Sequence, residues 1–126
     1  MINVSDLIGI PYKEHGRSKE GFDCYGLVME VEKRIGVYLP DFDYETHTDE
    51  LTDGIVEDIK KSGKAKRIPQ LVDGALVLFK NSQGLNAHIG VYVGEGQICH
   101  CNRRGVHVDS SRVMADDMEG IYIWQK

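Results

Sequence analysis

The sequence predicts an α+β fold in which N-terminal helices pack on a central antiparallel sheet. Two observations carry this reading. Apolar residues before position 60 recur at helical spacing, whereas those after position 73 fall in short apolar or alternating runs, two of them joined by a glycine-flanked turn.

Residues 3–9 read as a short helix capped by Asn3 or Ser5, followed by a turn at Pro11 and a polar loop up to Gly21. A longer helix follows, because Cys24, Leu27, Val28, Val31 and Ile35 form one apolar stripe while Glu30, Glu32, Lys33 and Arg34 fill the other face. Asp23 is its expected N-cap and Gly36 its stop. Asp41 to Asp49 is acidic and irregular, and Leu51, Ile55, Val56 and Ile59 mark a second amphipathic helix ending near Gly63. The period then changes. Ala75 to Phe79, opened by an Asp73-Gly74 turn, Ala87 to Val93 and Gln97 to Asn102 read as strands. Val106-His107-Val108 and Ile121 to Trp124 complete the sheet, with a helical turn around Ser110 to Met114.

The turn Gly94-Glu95-Gly96 fits a three-residue hairpin loop that pairs Val93 with Gln97. Continuing that register sets Val91 opposite Cys99 and His88 opposite Asn102, so His88 and His100 share one sheet face as diagonal neighbours. Ile89, Val91, Val93, Cys99 and Cys101 share the other. A strand cannot turn Cys99, His100 and Cys101 toward one metal ion, so no metal site is expected and the two cysteines are assigned to packing.

The composition bounds the function. A chain of 126 residues with 41% hydrophobic residues is expected to form one domain over 1–126. A net charge of −5 and no basic stripe argue against nucleic-acid binding, the run Lys60 to Arg67 reading as a solvated helix end and loop. No segment is apolar for long enough to span a bilayer or serve as a signal peptide, so synthesis in the cytoplasm is expected. The three cysteines are expected to be reduced.

Cys24 carries the chemical signal. A thiol in the first turn of a helix meets the positive end of the helix dipole, which favours thiolate, although a free cysteine on an apolar stripe also reads as a core residue. Two histidines on one sheet face supply what a thiol nucleophile requires: an imidazole base and a polar group to fix its tautomer. His15, His47 and His107 have weaker claims, lying in loops or on an outer strand.

The ordered blocks Ile10-Pro11-Tyr12, Gly21-Phe22-Asp23-Cys24, Gly26-Leu27-Val28, Asp73 to Phe79, His88 to Gly96 and Ile98-Cys99-His100 together resemble the NlpC-type cell-wall cysteine peptidases. The resemblance covers most of the chain. It implies a compact papain-like fold, no cofactor, and hydrolysis of peptide bonds in peptidoglycan stem peptides, commonly beside D-glutamate and a diamino acid. It assigns the nucleophile to Cys24, the general base to His88 and the orienting residue to His100. Tyr12, Asp23 and Tyr25 fall at its substrate cleft, although Tyr12 reads equally as a loop tyrosine packed on the core.

The chain departs from the family pattern at two places, with Tyr25 where many members have serine and Ala75 where an acidic residue is common. The variant Asp-Cys-Tyr-Gly-Leu-Val looks most like the phage tail-assembly branch. That implies phage tail proteins as further partners and access to the wall through a virion or another export route. Two other classes stay open: a tail-tip structural component whose site is vestigial or used only in infection, and a papain-like amidase or acyltransferase.

Overall fold

A computed structural model describes residues 1–42, 59–80 and 86–125, the last range without the side chains of residues 86 and 87. The predicted α+β architecture is present: helix α1 (Cys24–Arg34) lies on a six-stranded antiparallel sheet. A small hairpin, β1 (Arg17–Ser18) and β2 (Gly21–Phe22), precedes the helix. The sheet is built from β3 (Ala65–Ile68), β4 (Leu76–Lys80), β5 (Asn86–Gly94), β6 (Gln97–Asn102), β7 (Gly105–Ser110) and β8 (Met118–Trp124), in the order β3-β8-β4-β5-β6-β7. A one-turn helix, Ser111–Met114, links β7 toward β8. Most of the predicted irregular stretch and second helix lies outside the described residues; residues 59–61 are helical, and Gly63 follows at φ +74°.

Alternation along the strands divides the apolar residues between the two faces. Leu76, Leu78, Ile89, Val91, Cys99, Cys101 and Val106 form one core with Leu27, Val28 and Val31 of α1. Val77, Phe79 and Ile98 form a smaller cluster on the opposite face, covered by Leu71, Met114 and Met118.

Several expectations change. Residues 5–9 form turns in place of the expected helix, with the Leu7 N–H donating to the Val4 carbonyl at 2.9 Å, and backbone bonds on either side tie the segment to the sheet. The Ile2 N–H reaches Val93 O at 2.8 Å, and Gly9 N–H reaches Val106 O at 2.9 Å. The run ending at Arg67 is not a loop throughout, since Ala65–Ile68 pairs with β8 at the edge of the sheet. On α1, Ile35 is the C-cap and 40% exposed, whereas Glu32 is buried.

The β5–β6 turn also differs in detail. Gly94, not Val93, pairs with Gln97, and Glu95 and Gly96 form a two-residue turn with φ of +54° and +75°. A register shift between Tyr92 and Gly94 inserts one residue, so Val91 still faces Cys99. A two-residue turn alone would have put the histidines on opposite faces; the bulge restores them to one.

Candidate active site

Cys24 is placed by the start of α1. The Asp23 carboxylate caps the helix, accepting from the Gly26 N–H at 2.6 Å and from Arg17 Nη1 at 2.9 Å through the same oxygen. Asp23 is fully buried, so its pairing with Arg17 offsets the cost of removing a charge from water. The β1–β2 hairpin lies close against this first turn: a Cβ on Gly26 would overlap the Gly16 carbonyl oxygen. Together these contacts fix the direction in which the Cys24 side chain leaves the helix.

The thiol is 1% exposed and lies against the backbone amide of Ile89, with Cys101 nearby. The β5–β6 ladder stops at Val91–Cys99, leaving the Ile89 amide to face the sulfur. Burial pushes the thiol well above its ordinary value and the Asp23 carboxylate adds to this, while the Ile89 N–H opposes it. Burial thus favours the neutral thiol and opposes the preference for thiolate that the helix dipole supplies.

His88 and His100 meet on one side of the sheet. His88 Nε2 and His100 Nδ1 are 2.9 Å apart, with ring centroids separated by 5.1 Å and nearly perpendicular planes. His88 is the residue before Ile89, so the imidazole begins one residue from the backbone that touches the thiol. Phe79 flanks the His88 ring at 5.8 Å. His100 is buried, and burial holds its pKa below the usual imidazole value, with Asp109 opposing.

The chain of contacts extends beyond the residues expected from sequence. His100 Nε2 lies 2.8 Å from Asp109 Oδ2, and the His107 ring packs 4.2 Å from that of His100. The signal for Asp109 was present in the next hairpin. A two-residue turn at Arg103-Arg104 pairs Asn102 with Gly105, which sets His107 opposite His100 and Asp109 opposite Ile98, a diagonal neighbour on the same face. His107 Nδ1 donates to the Gly105 carbonyl at 2.9 Å.

The three residues expected at a substrate cleft occupy different settings. Tyr12 is partly buried, bridging Phe22 through its backbone and packing against the main core. Asp23 caps the helix beneath the nucleophile. Tyr25 is buried, its hydroxyl donating to the Pro40 carbonyl at 2.6 Å and its ring lying 5.9 Å from Phe42. Cys99 and Cys101 are buried in the main core, where the Cys101 thiol donates to the Phe22 carbonyl at 3.2 Å.

His100, His107 and Asp109 form a group of ligand-capable atoms lying within 4.8 Å of one another among the described residues. The hydrogen bond between His100 and Asp109 already satisfies two of its members. Two surface cavities, one between Arg17, Met29 and Tyr38 and the other between His15, Arg17 and Phe42, have no lining from Cys24, His88 or His100. No helix among the described residues is long and apolar enough to cross a membrane.

The chain is similar to known proteins over most of its length. The chain is 29% identical over 127 residues to the murein DD-endopeptidase MepS/murein LD-carboxypeptidase of Escherichia coli K12, covering 100% of this chain and 56% of that protein. It is 29% identical over 105 residues to the gamma-D-glutamyl-L-lysine dipeptidyl-peptidase of Bacillus subtilis, covering 82% of this chain and 31% of that one. The chain thus spans about half the length, or less, of these curated relatives. A crystal structure of an NlpC/P60 family protein from Bacillus cereus shares the fold, with a TM-score of 0.68 and 22% identity over 95% of this chain and 37% of that one. Residues 9–123 match the sequence profile of the NlpC/P60 family, and the chain belongs to that family.

Proposed function

We propose that this chain is a cysteine endopeptidase that hydrolyses stem peptides of bacterial peptidoglycan, at the bond between D-glutamate and a diamino acid. The single observation that carries the reading is the hydrogen-bonded pair His88–His100, which begins one residue from the amide against the Cys24 sulfur. The activities named for the murein endopeptidase and the gamma-D-glutamyl-L-lysine peptidase among its relatives support the substrate class. Action at the wall requires passage out of the cytoplasm, by a virion or another export route.

In this mechanism the neutral thiol transfers its proton to His88 Nδ1 as sulfur attacks the scissile carbonyl. The carbonyl oxygen becomes an oxyanion beside the Cys24 N–H at the helix start. His88 returns the proton to the leaving amine as the C–N bond breaks, giving a thioester. It next takes a proton from water, whose oxygen attacks the thioester carbonyl, and returns that proton to sulfur as the C–S bond breaks, regenerating the thiol and releasing the carboxylic acid. His100 holds the ring of His88 throughout.

Purified peptidoglycan digested by the intact chain and resolved by mass should yield fragments cut beside D-glutamate. Cys24→Ala and Cys24→Ser should lower the rate by at least about 10³-fold, the scale of losing a nucleophile. Their circular dichroism should match that of the parent. Retained cleavage in a folded Cys24→Ala variant would overturn the assignment.

A further inference from the structure

We infer that Asp109 is a positioning residue that selects the tautomer of both histidines, so that His88 presents an unprotonated Nδ1 toward the thiol. The inference rests on the cysteine peptidase reading and adds a residue to it. Two neutral imidazoles joined nitrogen to nitrogen can be ordered in two ways. Either His88 Nε2–H donates to His100 Nδ1, or His100 Nδ1–H donates to His88 Nε2. Only the first leaves the lone pair of His88 on Nδ1. In the second, Nδ1 carries the proton and cannot take another from the thiol.

Asp109 breaks this symmetry from the far end. Its carboxylate can only accept, so the 2.8 Å contact with His100 Nε2 requires a proton there. A neutral His100 with Nε2–H has its lone pair on Nδ1, which must then accept from His88 Nε2–H at 2.9 Å. The choice made at Asp109 is carried through two rings to His88 Nδ1.

The surrounding groups preserve that choice. His107 competes for this carboxylate: its Nε2 lies 3.3 Å from the same Asp109 oxygen. With Nδ1–H committed to the Gly105 carbonyl, neutral His107 has no proton on Nε2, and Arg104 Nη2 faces that nitrogen at 3.4 Å. His100 is then the ring that donates to Asp109. Burial holds His100 below the usual imidazole range, favouring a neutral ring, with Asp109 opposing and His107 and Arg104 acting with burial. The bond from His100 in turn holds the Asp109 carboxyl below its ordinary value.

The test combines ring ¹⁵N chemical shifts with kinetics on peptidoglycan fragments, using the intact chain and Asp109→Asn, Asp109→Ala and Asp109→Glu. In the parent at neutral pH, both His88 and His100 should carry the proton on Nε2. Asn can accept or donate and Ala can do neither, so both variants should show mixed tautomers. Their kcat should fall about 10–100-fold, the range found for outer partners of oriented imidazoles, with KM little changed. Glu should restore part of the loss. A proton on His100 Nδ1 in the parent, or unchanged tautomers and kcat in folded Asn and Ala variants, would overturn the inference. If the parent shows the expected tautomers but cuts no wall peptide, the peptidase proposal fails and the role of Asp109 in ordering the rings stands.

Discussion

Glu32 is a carboxyl group in the wrong solvent. It is 1% exposed on α1, and its Oε1 has no hydrogen-bond partner among the described residues. Burial pushes its pKa up to about 8 from an ordinary 4.5. The folded protein therefore holds a proton that the unfolded chain releases at much lower pH. Its contribution to stability is fully present below about pH 4.5, declines as pH rises, and is lost once pH passes about 8. Glu32→Met replaces the carboxyl with an apolar side chain of similar length and should remove that slope. Urea unfolding at pH 5 and pH 9 should show the parent losing on the order of 3 kcal/mol more than the variant between the two conditions. Equal losses would show that the carboxyl finds a partner when ionised. The spacing of α1 explains why sequence placed Glu32 outside: it lies four residues after Val28, on the apolar stripe, but its charge assigned it to the polar face. Ile35 was read into the stripe instead, although the helix ends at Arg34 and leaves it at the cap.

At the scale of elements, the site depends on how closely the β1–β2 hairpin approaches α1. Gly16 and Gly26 are both buried, and each would drive a Cβ into a backbone carbonyl, Gly21 O in the first case and Gly16 O in the second. Neither neighbour is a flexible side-chain end, so an added methyl must move backbone. Gly26→Ala should therefore destabilise despite the better helix propensity of alanine, which favours the change by roughly 1 kcal/mol. We expect a net loss of about 2–3 kcal/mol in chemical denaturation, the upper part of the range for overpacking. In the folded fraction, peptide cleavage should fall as well, because displacing the hairpin pulls Arg17 from Asp23 and loosens the cap beneath Cys24. Stability equal to the parent's would show that the hairpin yields freely. The cap was legible in the sequence, as aspartate directly before an apolar-periodic run. The hairpin was not, since two strands of two residues each leave no period to read.

Across the whole molecule, the two edges of the sheet are protected by different means, and only part of this could be read from the chain. Strands β4 to β7 were visible because alternating or continuous apolar residues mark strands that bury one or both faces. From them came the shared face of His88 and His100; Asp109 was missed because the Arg103-Arg104 turn was not used to extend the register. At the β7 edge, the Val106 N–H donates to the Ile10 carbonyl at 2.8 Å and its carbonyl accepts from Gly9, so the N-terminal segment covers the ladder. At the other edge, β3 reads Ala65-Lys66-Arg67-Ile68, and no described strand pairs with its outer side. The charges that made this run look like a solvated loop are the residues expected on an uncovered strand, where an ammonium group penalises pairing with a second sheet. Arg67 also donates from Nη2 to the Glu119 carbonyl at 3.1 Å, which leaves exposed Lys66 as the cleaner position to alter. Lys66→Val keeps the strand and raises its β propensity, so the stability read by unfolding at low protein concentration should change by less than about 0.5 kcal/mol. Self-association should increase with protein concentration, read by sedimentation velocity, while Lys66→Glu remains like the parent. Unchanged sedimentation of Lys66→Val at the highest soluble concentration would mean that another feature, not the charge on β3, keeps this edge from pairing.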